Sequence, residues 1–167
     1  MVVNDGSDQR SMVSSLTVTF SEEVNGVDAS AFILTNTTTD SQIIPLVATR
    51  VVDGKTIATL TFSGPTIIGG SLADGNYSLT TLASAVTDLA GNELDGDGDT
   101  ESGDDATDTF FRLFGDANGD RKVNVIDFFK FREAFLNADT AAFDFNGDGR
   151  INMIDFFQFR SQFQKTL

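Results

Sequence analysis

The chain contains no cysteine and no histidine. That removes disulfide staples, thiol nucleophiles, most zinc sites and every His-based catalytic triad together. Basic residues are also scarce, with 11 Lys+Arg against 25 Asp+Glu and a formal charge of -14. A field of that sign repels nucleic acid and anionic membranes, so hard cations are the expected partners. No run approaches the ~18 consecutive apolar residues of a membrane span. The N-terminus MVVNDGSDQR lacks the basic-then-apolar pattern of a signal peptide, and the chain is expected to be a piece of a longer one.

What is present is enough for one sizeable core, or for a moderate core with a small satellite, since 40% of the 167 residues are hydrophobic. From Val13 to Thr109 short runs rich in Thr, Val, Ile and Leu are broken by Gly, Asn and Asp, the texture of antiparallel strands. In Leu16-Thr17-Val18-Thr19-Phe20 apolar residues alternate with threonine, and Ala58, Leu60 and Phe62 repeat that period of two, so one face of each strand is buried. Further strands are expected over Ala31–Thr35, Ile43–Val51, Tyr77–Ala83 and Ala106–Phe114, with turns at Val52-Asp53-Gly54-Lys55 and Ala73-Asp74-Gly75-Asn76. The count suits a β-sandwich. Tyr77 is either a tyrosine corner or a plain half-buried strand residue.

Composition shifts near Phe110, because 13 of the 16 phenylalanines lie from there to the C-terminus, and a second core begins. No Gly/Ser- or Pro-rich linker divides the halves, so they are expected to touch. The boundary falls between residues 1–114 and 115–167. The second region is an internal duplication: DANGDRKVNVIDFFKFREAF from Asp116 and DFNGDGRINMIDFFQFRSQF from Asp144 agree at 12 of 20 positions.

The agreements fall where a calcium loop needs oxygen ligands, at positions 1, 3, 5, 7, 9 and 12. In the first loop these are Asp116, Asn118, Asp120, the carbonyl of Lys122, Asn124 and Asp127; in the second, Asp144, Asn146, Asp148, the carbonyl of Arg150, Asn152 and Asp155. Two calcium ions are therefore expected, and metal binding is expected to contribute folding energy. Position 6, which favours positive φ, is Gly149 in one loop but Arg121 in the other, where slight strain is expected. Val123 and Ile151 occupy position 8, suited to a short β-contact between the loops. A helix is expected from each position-12 aspartate, with Phe128, Phe131, Phe135 and Phe156, Phe159, Phe163 as core stripes. Phe129, Phe157, Val125 with Ile126, and Met153 with Ile154 are apolar without an inward role.

Two loops of the form D-x-N-x-D-x-x-V/I-N-x-x-D, each followed by one helix, resemble a type I dockerin over about Gly115 to Phe163. Dockerins are calcium-dependent modules that attach secreted polysaccharide-degrading enzymes to cohesin domains. The resemblance implies partner contacts at Val125, Ile126, Arg132 and Glu133 and at Met153, Ile154, Arg160 and Ser161, beside which lie Phe129 and Phe157. Small hydroxylated residues are usual at loop positions 10 and 11, whereas both copies here are apolar. Residues LTVTFSEEV, SLADGNYSLTT and VTDLAGNELDGDGD resemble the Ig-like domains of bacterial S-layer proteins, which implies a spacer.

The fold class is thus mixed, an all-β Ig-like sandwich followed by a small all-α dockerin-like pair of loop-helix motifs. Asp95, Asp97 and Asp99 alternate like the start of a third calcium loop, but the twelfth position is Ala106, and a solvated acidic loop is the alternative. The expected function is anchoring of a larger secreted or cell-surface protein to a cohesin-like partner. The rival is a calcium-locked cap on the chain's own Ig-like domain, docked through Phe129 and Phe157. A monomer without catalysis is expected, since the calcium loops account for the strongest acidic clusters that a glycosidase would need.

Overall fold

Alternating burial produces strands with one apolar face, and the computed structural model, which describes residues 1–167, folds them as two antiparallel four-stranded sheets around one core. In chain order the strands are β1 (Val2–Val3), β2 (Ser15–Thr19), β3 (Val24–Asn25), β4 (Phe32–Asn36), β5 (Ser41–Ile43), β6 (Leu46–Val52), β7 (Lys55–Thr61), β8 (Gly75–Thr81), β9 (Thr87–Asp88) and β10 (Ala106–Arg112). One sheet runs β1-β2-β7-β6, the other β10-β8-β4-β5, and β3 pairs with β9 as a small ribbon. Leu16, Ala58 and Leu60 from the first sheet face Leu34, Tyr77 and Leu79 from the second. Burying each large side chain contributes about 1.5–3 kcal/mol relative to exposure.

The Asp53-Gly54 turn joins β6 to β7 with positive φ at both residues, as a two-residue hairpin requires. The single strand expected over Ile43–Val51 is instead two, because Pro45 has no N–H to donate and the chain crosses there from one sheet to the other. Val2–Val3 adds an edge strand that periodicity could not reveal in two residues. Tyr77 is the corner: its hydroxyl donates to the Ala73 carbonyl at 2.7 Å, and its ring stacks on Phe110.

The chain then forms two helices, α1 (Val125–Asn137) and α2 (Met153–Gln162). Both start two residues before the expected aspartates. Asn124 and Asn152 are the N-caps, each accepting from the amide two residues on, and Asp127 and Asp155 return the bond to the cap's own N–H. These reciprocal bonds are capping boxes, and they place loop position 9 at the helix entrance. The phenylalanine stripes are core only at their centres. Phe131 (3% exposed) stacks on Phe159 (2%) at 5.0 Å, whereas Phe128, Phe135 and Phe163 are exposed and Phe156 is half-buried. Phe143, from between the repeats, and Phe114, from the end of the sandwich, fill the space instead.

The halves touch extensively. Met12, Phe111, Leu113 and Phe114 pack in one cluster with Ala117, Val123, Phe131 and Phe159. The Leu113 N–H donates to the Arg10 carbonyl, the Arg10 N–H to the Asp116 carbonyl, and the Gly115 N–H to Ser11 Oγ. Asp74 ties the seam: its Oδ1 takes Arg112 Nη1 at 2.6 Å and the Phe114 N–H at 2.7 Å, and its Oδ2 takes Gln162 Nε2 from α2 at 2.8 Å. Burial pushes the Arg112 guanidinium down from its ordinary pKa while Asp74 holds it up.

Candidate functional site

Short polar side chains bond back to their own backbone, which is why Asp/Asn/Gly-rich segments close into tight loops. Here the two acidic loops close in the same way. Asp116 accepts from the N–H groups of Asn118, Gly119 and Arg121 at 2.7–3.2 Å, and Asp144 from those of Gly147, Asp148 and Gly149 at 2.8–3.1 Å. At the far end Asp127 reaches the N–H of Ala117, and Asp155 that of Phe145, at 2.9 and 2.8 Å, so position 12 folds back over position 2. Asp120 accepts from Lys122 N and Asn118 Nδ2, and Asp148 from Arg150 N and Asn146 Nδ2.

Asp116, Asp127, Asp144 and Asp155 are buried, yet the chain's two ion pairs involve none of them. Burial raises the carboxyls of Asp116 and Asp127 by more than their backbone hydrogen bonds lower them, and the negative charge of Asp127 beside Asp116 and of Asp120 beside Asp127 raises them further. Buried carboxylates without a counter-charge fit a cation as their missing partner. The carbonyls of Lys122 and Arg150 accept no hydrogen bond, which leaves both position-7 oxygens open. The donor set of each loop, carboxylate, amide and carbonyl oxygen, is that of a hard dication.

Arg121 adopts φ +66, the left-handed backbone expected to strain it, beside φ +80 for Gly149. The β-contact expected between Val123 and Ile151 is absent. Val123 pairs instead with the C-terminal tail, donating to the Lys165 carbonyl at 3.0 Å and accepting from Gln164 N at 2.7 Å. The tail follows α2 directly and occupies the first loop's backbone in place of the second loop.

The residues assigned to a partner face lie on the open side of both helices. Val125, Ile126, Met153 and Ile154 are exposed, as are Arg132, Glu133, Arg160 and Ser161. Phe129 and Phe157 are 61% and 56% exposed, so the rival docking through these two rings does not occur. The unit sits on the sandwich through its loops, through Gln162 at the end of α2 and through Phe111 and Phe114, which leaves the outer helix faces uncovered. Asp95, Asp97 and Asp99 are also brought together, with ligand oxygens within 4.8 Å of one another, but all three are exposed.

Sequence reasoning missed the seam residues Asp74, Arg112 and Gln162. One signal was available, an arginine inside the apolar run Phe110-Phe111-Arg112-Leu113-Phe114, since a charge there must be exposed or paired.

The family described as Bacterial Ig-like domain matches residues 1–102, and that described as Dockerin type I domain matches residues 114–162. No curated protein matches the chain. Among solved structures, surface layer protein SbsC, domains 1–6, aligns at 22% identity over 63% of this chain and 13% of that one, with a TM-score of 0.41. The N-terminal part of the bacterial S-layer protein SbsC aligns at 22% identity over 60% and 21%, with a TM-score of 0.39. The chain spans only 13% and 21% of the length of those structures. Type I dockerins bind calcium, and neither module is itself catalytic. The chain belongs to the bacterial Ig-like domain family through residues 1–102 and carries a type I dockerin domain at residues 114–162.

Proposed function

We propose that the chain is a calcium-dependent anchoring unit, in which residues 115–167 bind two calcium ions and hold a cohesin-type domain, and residues 1–114 serve as the spacer. Asp116, Asn118, Asp120, Asn124 and Asp127 with the Lys122 carbonyl would hold one ion. Asp144, Asn146, Asp148, Asn152 and Asp155 with the Arg150 carbonyl would hold the other. Each dication supplies the positive charge that buried carboxylates need, and the loops and helix starts are then fixed.

The observation that carries the reading is the repeated apolar triad, Val125, Ile126 and Phe129 in one helix and Met153, Ile154 and Phe157 in the other, exposed after the unit has packed on the sandwich. Large apolar groups left uncovered at equivalent positions of two repeats mark a binding surface. The triads are apolar, so the partner's surface is apolar at its centre. Polysaccharide processing would belong to other parts of a larger secreted or cell-surface protein, and the unit itself is monomeric.

The Asp74 seam and the shared cluster of aromatic residues favour a second role alongside the first, as a calcium-stabilised cap on the Ig-like domain. The loops serve the cap and the helix faces serve the partner. Titration of the calcium-loaded protein with a panel of cohesin domains, repeated with chelator, tests the anchoring reading. Binding that vanishes with chelator and falls at least about tenfold when Ile126 and Ile154 are both changed to Ser is expected. No binding to any cohesin by a calcium-loaded chain would leave the cap alone.

A further inference from the structure

The two repeats meet the left-handed backbone at loop position 6 differently. Gly149 has open space around it, whereas Arg121 holds φ +66 with a full side chain, a conformation disfavoured relative to glycine. That side chain leaves the loop for the sandwich. Its guanidinium lies 4.2 Å from the centroid of the Phe111 ring in β10, and Nη1 donates to Asn76 Oδ1 in β8 at 2.7 Å. The backbone of Arg121 is held as well, since its N–H donates to Asp116 Oδ2 at 2.8 Å and its carbonyl accepts from Leu167 N at 3.0 Å. Of these holds the second repeat keeps only the amide bond, from Gly149 N to Asp144.

We propose that Arg121 is a positioning residue, which fastens the first loop to the Ig-like domain and thereby orders Asp116 and Asp120 for a cation. The duplicated loops are then unequal at position 6, the first held there by a side chain on the sandwich and the second left to its own glycine. The inference rests on the calcium reading above, but the clamp itself can be tested without metal.

Arg121→Gly in the full chain separates a clamp from a tolerated outlier, because glycine relieves the backbone while it removes the side chain. An NMR calcium titration followed at the Gly119 and Gly147 amides reads the loops separately. The clamp predicts first-loop affinity weaker by about fivefold or more, the scale of one cation–π contact and one charged hydrogen bond, with the second loop unchanged. Equal or tighter first-loop binding overturns it. Amide exchange in chelated protein gives the metal-free readout: faster exchange at Gly119 and at residue 121, with Gly147 and Gly149 unaffected, supports the clamp, and unchanged exchange overturns it. Asn76→Ala lies outside both loops and removes an oxygen bonded to Arg121, so a same-direction effect of about twofold is expected even where Arg121→Gly fails to fold. If the unaltered protein takes up no calcium, the calcium reading fails while the exchange comparison still decides the clamp.

Discussion

The sandwich encloses a cluster of 15 buried hydrophobic residues drawn from its own strands and turns. The C-terminal unit has a cluster of 10, of which Met12, Phe111, Leu113 and Phe114 come from before its first loop, and it also buries four aspartates that stand in no ion pair. Apolar burial is favourable on its own, whereas a buried carboxylate needs a partner. The first region can therefore be held by the chain alone, while the second depends on the sandwich at one side and on a cation within.

The greatest loss of stability is expected at the seam. Asp74→Ala strips the buried Arg112 of its counter-charge and frees the Phe114 N–H and Gln162, with an expected cost of about 3 kcal/mol in denaturant unfolding. A loss under about 1 kcal/mol would mean that the Asp74 network contributes little to joining the halves. The loop glycines come next. A Cβ at Gly147 would meet Gly69 Cα at 2.7 Å, whereas one at Gly149 meets open space. Gly149→Ala is expected to cost about 1–2 kcal/mol for its backbone, and Gly147→Ala distinctly more because it also wedges the loop off the sandwich. Equal melting temperatures for the two variants would contradict the close approach.

The smallest effect is on pH dependence. Burial raises the carboxyls of Asp116 and Asp127 above their ordinary 3.8, so between that value and the raised ones the folded metal-free chain binds more protons than the unfolded chain. Stability of chelated protein is then expected to fall as pH rises through that window. Calcium needs the ionised form, so its stabilising effect is expected to grow over the same window, as paired melts with calcium and with chelator would show.

Much of this was legible in local pattern. Alternation exposed β2, β7 and the sandwich, and the 28-residue offset from Asp116 to Asp144 exposed the two loops, because both signals repeat at short range. What depended on distant contacts was hidden. Nothing near Val123 announces the tail that pairs with it, and nothing near Gly69 announces Gly147. The stripe of Phe128, Phe131 and Phe135 has helical spacing throughout, but only the third dimension decides that Phe143 and Phe114 displace its ends from the core. The capping boxes were visible as Asn124 with Asp127 and Asn152 with Asp155, yet those residues also fit the loop pattern, and the second signal masked the first.

Isothermal titration of calcium into chelator-stripped protein, with Asp116→Ala and Asp144→Ala variants beside it, decides whether the two loops hold metal. Calcium binding at both loops predicts two sites, one lost with each substitution, and a C-terminal unit that becomes ordered as they fill. Heat-silent titration with no gain in order would contradict it, and would leave the buried aspartates without the partner that their burial demands.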